Sequence, residues 1–322
     1  MENKKNTDIL EELEMFVLDD PPIRDKKDPV SLPLTLEEIK EERLKERELE
    51  KVAPSTGLPE LDYIIRGFIP GHLYTITGET GIGKSSLASN FAVNVAKQEG
   101  KRVLYVSLEP DTTIIEFIAS VYHDKRFKDL TPEDLELSGL PIDVYKKDEI
   151  NSVEKMVEII EKLPRYDLVI IDHIGYFITS QHNWIQQQSN AIKKLVSIAK
   201  SKMCAVMIIA HLRKRGRGEK ETVPTPDDIA GSGAFKQDST EVIILTRDKD
   251  PTDPDKIKYL NTGKIYVVKT KVGANGSFKI IFSDKGARIY TEEMERVESL
   301  VKEEPVVEEG DIVETAKEIF GA

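Results

Sequence analysis

The sequence has 322 residues, a single cysteine and a formal net charge of −12. The lone Cys204 excludes a disulfide framework and a cysteine-rich zinc site, and it indicates a reducing compartment. No apolar stretch approaches the roughly 18–20 residues of a membrane span, and the start MENKKNTDIL lacks the apolar core of a signal peptide. We therefore expect a cytoplasmic protein without a membrane partner.

The acidity of the chain is concentrated at its two ends. Residues 1–50 carry 16 acidic and 9 basic side chains, and residues 291–322 carry 11 acidic and 3 basic ones. Residues 51–290 are left with 31 acidic and 34 basic side chains, so they are slightly basic. The net charge of the whole chain therefore does not exclude a nucleic-acid partner for its central part.

The segment at the start of the chain has two parts. Residues 1–35 mix charges with prolines and show no sustained period, which predicts disorder. Residues 36–52 combine strong helix formers with oppositely charged partners four positions apart, which predicts a charged helix. Its sparse apolar positions suit either a solvated helix or one that docks on a larger body.

The central part, residues 53–290, alternates apolar β-type runs with helical patterns. Most of these runs are continuously apolar, which is typical of strands buried on both faces of a mostly parallel sheet covered by helices. We therefore predict one α/β domain. The predicted strands are HLYTIT (72–77), VLYVSL (103–108), LVIID (168–172), CAVMIIA (204–210), EVIILT (241–246), KIYVVK (264–269) and FKIIF (278–282).

A phosphate-binding motif follows the first predicted strand and precedes a helical pattern. It fits G-x-x-x-x-G-K-[ST], in which backbone N–H groups surround the phosphates of ATP or another nucleoside triphosphate. We expect Lys84 to contact the β- and γ-phosphates and the Ser85 hydroxyl to hold Mg²⁺. The predicted nucleotide-binding residues here are Gly78, Glu79, Thr80, Gly81, Ile82, Gly83, Lys84, Ser85 and Ser86.

Two carboxylates follow buried strands at the edge where open α/β sheets bind their ligands. Asp172 ends LVIID and is the candidate Mg²⁺ partner, unless it simply caps a turn. Glu109 follows VLYVSL and is the candidate catalytic residue, because hydrolysis needs a carboxylate that orients the attacking water. The alternative for Glu109 is an ordinary surface position before Pro110.

Six segments of residues 53–290 together form a specific combination. They are STGLPELD with RGFIPGHL (55–73), VSLEP (106–110), IIDHIG (170–175), IIAHLRK (208–214), DIAGSGAFKQDST (228–240) and KTKVGANGSFKI (269–280). With these segments, residues 53–290 resemble the RecA-like motor domain of DnaB-type hexameric replicative DNA helicases, the family that includes Twinkle. The resemblance implies a RecA-like P-loop ATPase with a linker helix at 36–52 before it and an acidic tail at 291–322 after it.

The resemblance also implies roles for single residues. His211 occupies the position that senses the γ-phosphate, although a histidine at a strand end is often only structural. Gln237 matches a glutamine that connects the nucleotide and DNA sides. Arg247 and Phe282 resemble a pair that holds the nucleotide base between a cation and an aromatic face.

Lys269 and Lys271 align with a Lys-x-Arg pair whose arginine reaches the ATP of the neighbouring subunit. Lysine carries the charge but lacks the planar guanidinium that bridges phosphate oxygens. This departure puts in doubt how strongly Lys271 contacts the ATP of the neighbouring subunit. Paired trans lysines are also a feature of RecA-type recombinases. The alternative is that both residues are simply exposed lysines at the end of a strand.

A basic, glycine-containing loop follows His211 and suits contact with a phosphate backbone in a ring channel. Exposed basic loops are also common without a nucleic-acid partner. Backbone N–H groups in the segment DIAGSG could add contacts. The predicted DNA-binding residues are Arg213, Lys214, Arg215, Arg217, Lys220, Gly231, Ser232 and Gly233.

These features together predict an ATP- and Mg²⁺-dependent helicase that forms a homo-oligomeric, hexameric ring on single-stranded DNA. The tail at 291–322 is expected to contact a primase, a polymerase or a single-strand-binding protein. A motor reduced to its ring suits a virus-encoded protein acting in a host cytoplasm. Two alternatives stay open at this point: a RecA/RadA-like recombinase filament and a KaiC-like signalling ATPase.

Overall fold

The structure, a computed structural model, describes residues 34–294 apart from 99, 109–112, 147–149, 151, 178–183, 213–224, 226–228, 230–231 and 254–257. The chain divides into two compact units between Arg47 and Glu48. None of the helices in the described part of the chain combines the length and the apolar character needed to cross a membrane.

The first unit contributes most of helix α1 (Leu36–Lys51) to the described residues. Thr35 and Glu38 form a capping box: the Thr35 N–H and hydroxyl both donate to Glu38 Oε2 at 2.8 Å, and the Glu38 N–H donates to Thr35 Oγ1 at 3.3 Å. Ion pairs such as Lys40–Glu37 lie along the helix. The predicted charged helix is therefore present, and its role as a linker stays a prediction.

Among its described residues, the second unit forms a nine-stranded sheet with strand order β3-β2-β4-β5-β1-β6-β7-β8-β9. The six strands from β3 to β6 in this order are parallel, and β7, β8 and β9 continue the sheet antiparallel. The strands are β1 (Leu73–Gly78), β2 (Val103–Ser107), β3 (Ile142–Lys146), β4 (Leu168–Asp172), β5 (Ala205–His211), β6 (Glu241–Lys249), β7 (Tyr259–Lys269), β8 (Gly276–Phe282) and β9 (Ile289–Thr291).

Helices cover both faces of this sheet, and each face has its own apolar core. One core contains Phe91 and Ile118, and the other contains Ile160, Leu195 and Phe235. The predicted α/β fold with a mostly parallel sheet is confirmed. The helices of this unit are α2 (Pro59–Ile65), α3 (Lys84–Ala96), α4 (Ile114–His123), α5 (Val153–Lys162), α6 (Trp184–Lys202) and α7 (Ser232–Asp238), with short 3₁₀ turns at Phe127–Asp129, Glu133–Leu135 and Ile174–Phe177.

The apolar runs located the central strands well and the edge strands poorly. All residues of β1, β2 and β4 are buried, as continuous apolar runs predict. The edge strand β3 was not predicted, because its residues are polar in alternation and lie partly exposed. The three-residue β9 was also missed, and β7 begins at Tyr259 rather than at 264.

Candidate nucleotide site and the opposite sheet edge

The phosphate loop connects the end of β1 at Gly78 to the start of α3 at Lys84. Gly83 is the N-cap of α3 with φ +107°, and a Cβ atom there would lie 3.0 Å from Phe282 Cε1. A Cβ on Gly78 would lie 2.7 Å from the Leu245 carbonyl oxygen. Glycine is therefore required at both positions, and the loop leads the backbone into the positive end of α3, where phosphates bind.

Lys84 is buried and its ammonium lies over the phosphate loop. Its side chain is 7% exposed, and Nζ donates to the carbonyl oxygens of Gly78 at 3.1 Å and Glu79 at 2.8 Å. Ser85 follows it in the first turn of α3, so its hydroxyl belongs to the same helix N-terminus. The loop thus places a cation and a hydroxyl where a bound triphosphate would need them.

Asp172 ends β4 and lies 8% exposed at the same edge of the sheet. The hydroxyl of buried Tyr105, on β2, donates to Asp172 Oδ2 at 2.9 Å, which fixes the carboxylate. The Leu108 N–H donates to the Asp172 carbonyl oxygen at 2.7 Å. Glu109 is the next residue in sequence and lies outside the described residues, so its catalytic role stays a prediction.

His211 is paired with Gly78 in the register of β5 and β1, which places it beside the start of the phosphate loop. The rings of His173 and His211 meet edge to face with centroids 4.4 Å apart. Burial lowers the pKa of His173, while Asp172 raises this pKa and Lys84 lowers it. His173 was not predicted as a site residue from the sequence, where it is only part of the segment IIDHIG. Its position directly after Asp172 was the signal that could have identified it.

Arg247 and Phe282 lie together beside the phosphate loop, because Phe282 faces Gly83. The Arg247 guanidinium carbon is 4.2 Å from the centroid of the Phe282 ring. Arg247 Nε donates to the Leu260 carbonyl oxygen at 2.6 Å and Nη2 donates to Asn261 Oδ1 at 3.1 Å, and burial lowers the pKa of the guanidinium.

Arg247 and Phe282 are therefore adjacent, as the resemblance implies, and they stack directly on each other. Their role in holding a nucleotide base stays a prediction.

Lys269 and Lys271 lie at the sheet edge opposite the phosphate loop. Lys269 is paired with Val242, which is paired with Thr75 of β1. Gly78 lies three residues further along β1, or about 10 Å at the rise of a strand. Lys271 comes two residues after Lys269, beyond the end of β7.

The two lysines differ in their contacts. Lys269 Nζ donates to the carbonyl oxygens of Lys236 at 2.6 Å, Gln237 at 3.1 Å and Ser239 at 2.5 Å, so it caps the C-terminal end of α7. Burial, followed by the charge of Lys271, lowers the pKa of Lys269. Lys271 is exposed. Within the chain, Lys269 thus holds the helix that carries Gln237, while Lys271 lies at the surface.

The predicted DNA loop begins at the phosphate-loop edge of β5. An antiparallel bridge between Leu212 and Ile229 closes the loop at its base. Residues 213–220 and 231 lie outside the described residues. Ser232 and Gly233 form the start of α7, and Gly233 is exposed.

The fold and the phosphate site define a P-loop ATPase of the RecA-like class. The family described as the DnaB-like helicase C-terminal domain matches residues 54–291. This match covers most of the chain, and the chain belongs to that family.

Curated relatives include replicative DNA helicases and a repair protein. The chain is 25% identical to the replicative DNA helicase DnaB of Mycoplasma genitalium over 71% of this chain and 54% of that protein. It is 24% identical to the DnaB of Geobacillus stearothermophilus over 75% and 57%. The DNA repair protein RadA of Listeria monocytogenes matches at 28% identity over 50% and 32%. The chain thus spans about half the length of the DnaB proteins it matches.

Solved structures support the same fold. A DnaB-like replicative helicase, described together with its interactions with primase, matches with a TM-score of 0.66 at 19% identity over 80% of this chain and 68% of that one. A second solved structure, which consists of an ATPase domain alone, matches with a TM-score of 0.65 at 20% identity over 79% and 98%.

Proposed function

We propose that this chain is the ATP-driven motor of a ring-shaped helicase that moves along single-stranded DNA and unwinds duplex DNA during replication. The observation that carries this proposal is the end of β7 at Lys269, which is level with Thr75 rather than with the phosphate loop; Lys271 follows two residues later. This position disfavours action of Lys271 on its own site, whereas copies arranged head to tail in a ring could complete one another's sites. Membership of a helicase family supports DNA as the polymer along which the motor moves.

The nucleotide chemistry is assigned to residues at the phosphate-loop edge. Lys84 would bind the transferred phosphate, and Glu109 would orient the attacking water. Ser85 and Asp172 both offer oxygen ligands, which Mg²⁺ prefers, and bound Mg²⁺ would neutralise charge on the phosphates. The Tyr105 hydroxyl supports this fit because it holds the Asp172 carboxylate in place.

The response to hydrolysis is assigned to two further residues. His211 lies beside Gly78, where loss of the γ-phosphate would change its surroundings. Gln237 is carried by α7, and the Lys269 ammonium holds the end of this helix. We propose that Lys269 acts mainly by positioning Gln237, while Lys271 supplies the cation that stabilises charge in the neighbouring site.

The proposed partners follow from the loop and the tail. The basic side chains at 213–220 would contact the DNA backbone without sequence preference, together with the backbone at 231–233. The helix at 36–51 would dock on the next copy in a six-membered ring. The acidic residues at 291–322 would bind a primase, a polymerase or a single-strand-binding protein.

A RecA/RadA-like recombinase is the second candidate, and paired lysines at 269 and 271 favour it. A solved RadB recombinase matches with a TM-score of 0.54, against 0.66 for the DnaB-like helicase. The helicase proposal is therefore the stronger one. Closed rings in electron micrographs with single-stranded DNA would support the helicase, and open filaments would support the recombinase.

ATPase rates with and without single-stranded DNA test the assignment of the site. Lys84→Ala should weaken ATP binding, because the cation in the phosphate loop is lost. Glu109→Gln should still bind ATP but lose at least about 10²-fold in turnover, the scale expected for loss of a general base. Near-normal hydrolysis by Glu109→Gln would remove that residue from the catalytic role.

Mixed rings test the action of Lys271 in trans. Lys271→Ala and Glu109→Gln subunits are each expected to be inactive alone. Mixed rings contain some interfaces with an intact Glu109 on one chain and an intact Lys271 on the next, so part of the ATPase activity should return. No recovery in rings shown by mass to contain both chains would contradict the trans assignment.

A further inference from the structure

The phosphate loop contains an acidic side chain, Glu79, directly after the end of β1. A carboxylate at this position is unfavourable for binding a triphosphate, because like charges repel within a few ångströms. Its side chain is 50% exposed, so water screens part of this repulsion without removing it. Tight nucleotide binding therefore requires that the Glu79 charge be balanced or held away from the phosphates.

Two side chains from the β6–β7 hairpin meet this carboxylate. The Tyr259 hydroxyl donates to Glu79 Oε2 at 3.0 Å, and Lys249 Nζ lies 3.9 Å from the same oxygen. Lys249 and Tyr259 are a cross-strand pair in the register of β6 and β7, so one end of the hairpin presents both groups together. Burial and the bond to Glu79 raise the pKa of Tyr259, so its hydroxyl stays a proton donor at neutral pH.

The same hairpin also reaches the other end of the phosphate loop. Arg247, on β6, binds Leu260 and Asn261 across the hairpin and stacks on Phe282. Phe282 in turn faces Gly83. The β6–β7 hairpin therefore contacts the phosphate loop directly at Glu79, near the start of the loop. It contacts the end of the loop, at Gly83, through Phe282.

We propose that Tyr259 and Lys249 are positioning residues for the nucleotide site, which bind Glu79 and hold its charge away from the phosphates of the bound triphosphate. The proposal rests on the proposed function, because it assumes that this loop binds a nucleoside triphosphate. The proposal assigns part of the affinity for the triphosphate to the β6–β7 hairpin. Tyr259 in this hairpin lies 180 residues from Glu79 in sequence.

An electrostatic role and a purely structural role make different predictions. If Tyr259 only stabilised the hairpin, its loss would weaken ATP and ADP binding alike, whether or not Glu79 carried a charge. If it holds the Glu79 charge away, its loss should harm ATP more than ADP, since ATP carries more negative charge. The loss should also depend on the Glu79 carboxylate.

A double-mutant cycle between Tyr259→Phe and Glu79→Gln separates these roles. We expect Tyr259→Phe to weaken Mg-ATP binding about threefold to tenfold, the scale of one ordinary hydrogen bond, because water screens the half-exposed Glu79 carboxylate. The change for Mg-ADP should be smaller. In the Glu79→Gln background, the same substitution should change ATP binding by less than about twofold. Isothermal titration calorimetry at low and high salt measures the affinities of all four proteins for both nucleotides.

Lys249→Gln provides a second variant. It should also weaken Mg-ATP binding, and this effect should disappear at high salt. Tyr266→Phe and Lys264→Gln, on the same strand β7, are matched controls that should leave ATP binding unchanged. Circular dichroism and thermal melts identify any variant that fails to fold, in which case the other variant decides.

Two results would overturn the proposal. One is an equal loss of ATP affinity in the wild-type and Glu79→Gln backgrounds, and the other is unchanged ATP affinity in both folded variants. Failure of the proposed function would look different. A loop that binds no nucleotide would leave the wild-type chain unable to bind or hydrolyse ATP, and an ATPase that is not a helicase would hydrolyse ATP without displacing a DNA strand.

Discussion

Gly83→Ala tests the geometry of the phosphate loop most sharply. Gly83 has φ +107°, where an L-residue costs about 1–2 kcal/mol or more. The added Cβ would lie 3.0 Å from Phe282 Cε1, so the ring must shift by a few tenths of an ångström. Such overpacking costs about 1–3 kcal/mol. We therefore expect the free energy of unfolding to fall by about 2–5 kcal/mol.

The same substitution should weaken ATP binding about tenfold, or ~1.4 kcal/mol, because Lys84 follows Gly83 and the Phe282 ring supports Arg247. Gly100→Ala is the matched control. Gly100 also has a positive φ, +68°, but a Cβ there would meet no heavy atom within 4 Å, and the residue lies beyond the far end of α3. It should lose about 1 kcal/mol of stability and no ATP affinity.

Urea unfolding measures the stability of both variants, and titration with Mg-ATP measures their affinities. Equal losses of stability in Gly83→Ala and Gly100→Ala, with ATP affinity unchanged in both, would refute the reasoning. Such a result would mean that Phe282 and the N-cap geometry do not shape the nucleotide site.

Three other predictions concern separate parts of the chain. Replacing Arg213, Lys214 and Arg215 with glutamine should weaken single-stranded DNA binding and lower its salt slope by about one unit per lost phosphate contact, and an unchanged slope in anisotropy titrations would contradict the loop assignment. Burial raises the pKa of Cys204 to about 11. At alkaline pH below that value, a thiol reagent should therefore label Cys204 slowly in the folded protein and quickly in urea. Fast labelling of the native protein would contradict the burial of this thiol. Deleting residues 36–52 should reduce oligomer mass in light scattering, and an unchanged mass would show that the helix is not needed for assembly.

The parts of the site that depend on local signals were predictable from the sequence. The phosphate loop combines a fixed spacing of glycine and lysine with a buried strand before it, and Asp172 ends another continuously apolar strand. Each of these signals is contained within a short stretch of sequence, so a single pass along the chain finds them.

Contacts between distant segments could not be predicted in this way. The bond between Tyr259 and Glu79 depends on how the β6–β7 hairpin packs beside the phosphate loop. The capping of α7 by Lys269 depends on the antiparallel register of β7 with β6. Alternation of polar and apolar residues indicates the face of a strand but not its neighbour or direction, so both contacts required the structure.

Strand displacement is the measurement that tests the central claim most directly. A forked duplex with one labelled strand is mixed with the protein, Mg²⁺ and ATP, and release of the strand is followed over time, with Lys84→Ala as the control. We predict release that requires ATP and single-stranded DNA flanking the duplex and that Lys84→Ala abolishes. ATP hydrolysis by the wild-type protein without any strand release, and at a rate indifferent to single-stranded DNA, would contradict the helicase assignment.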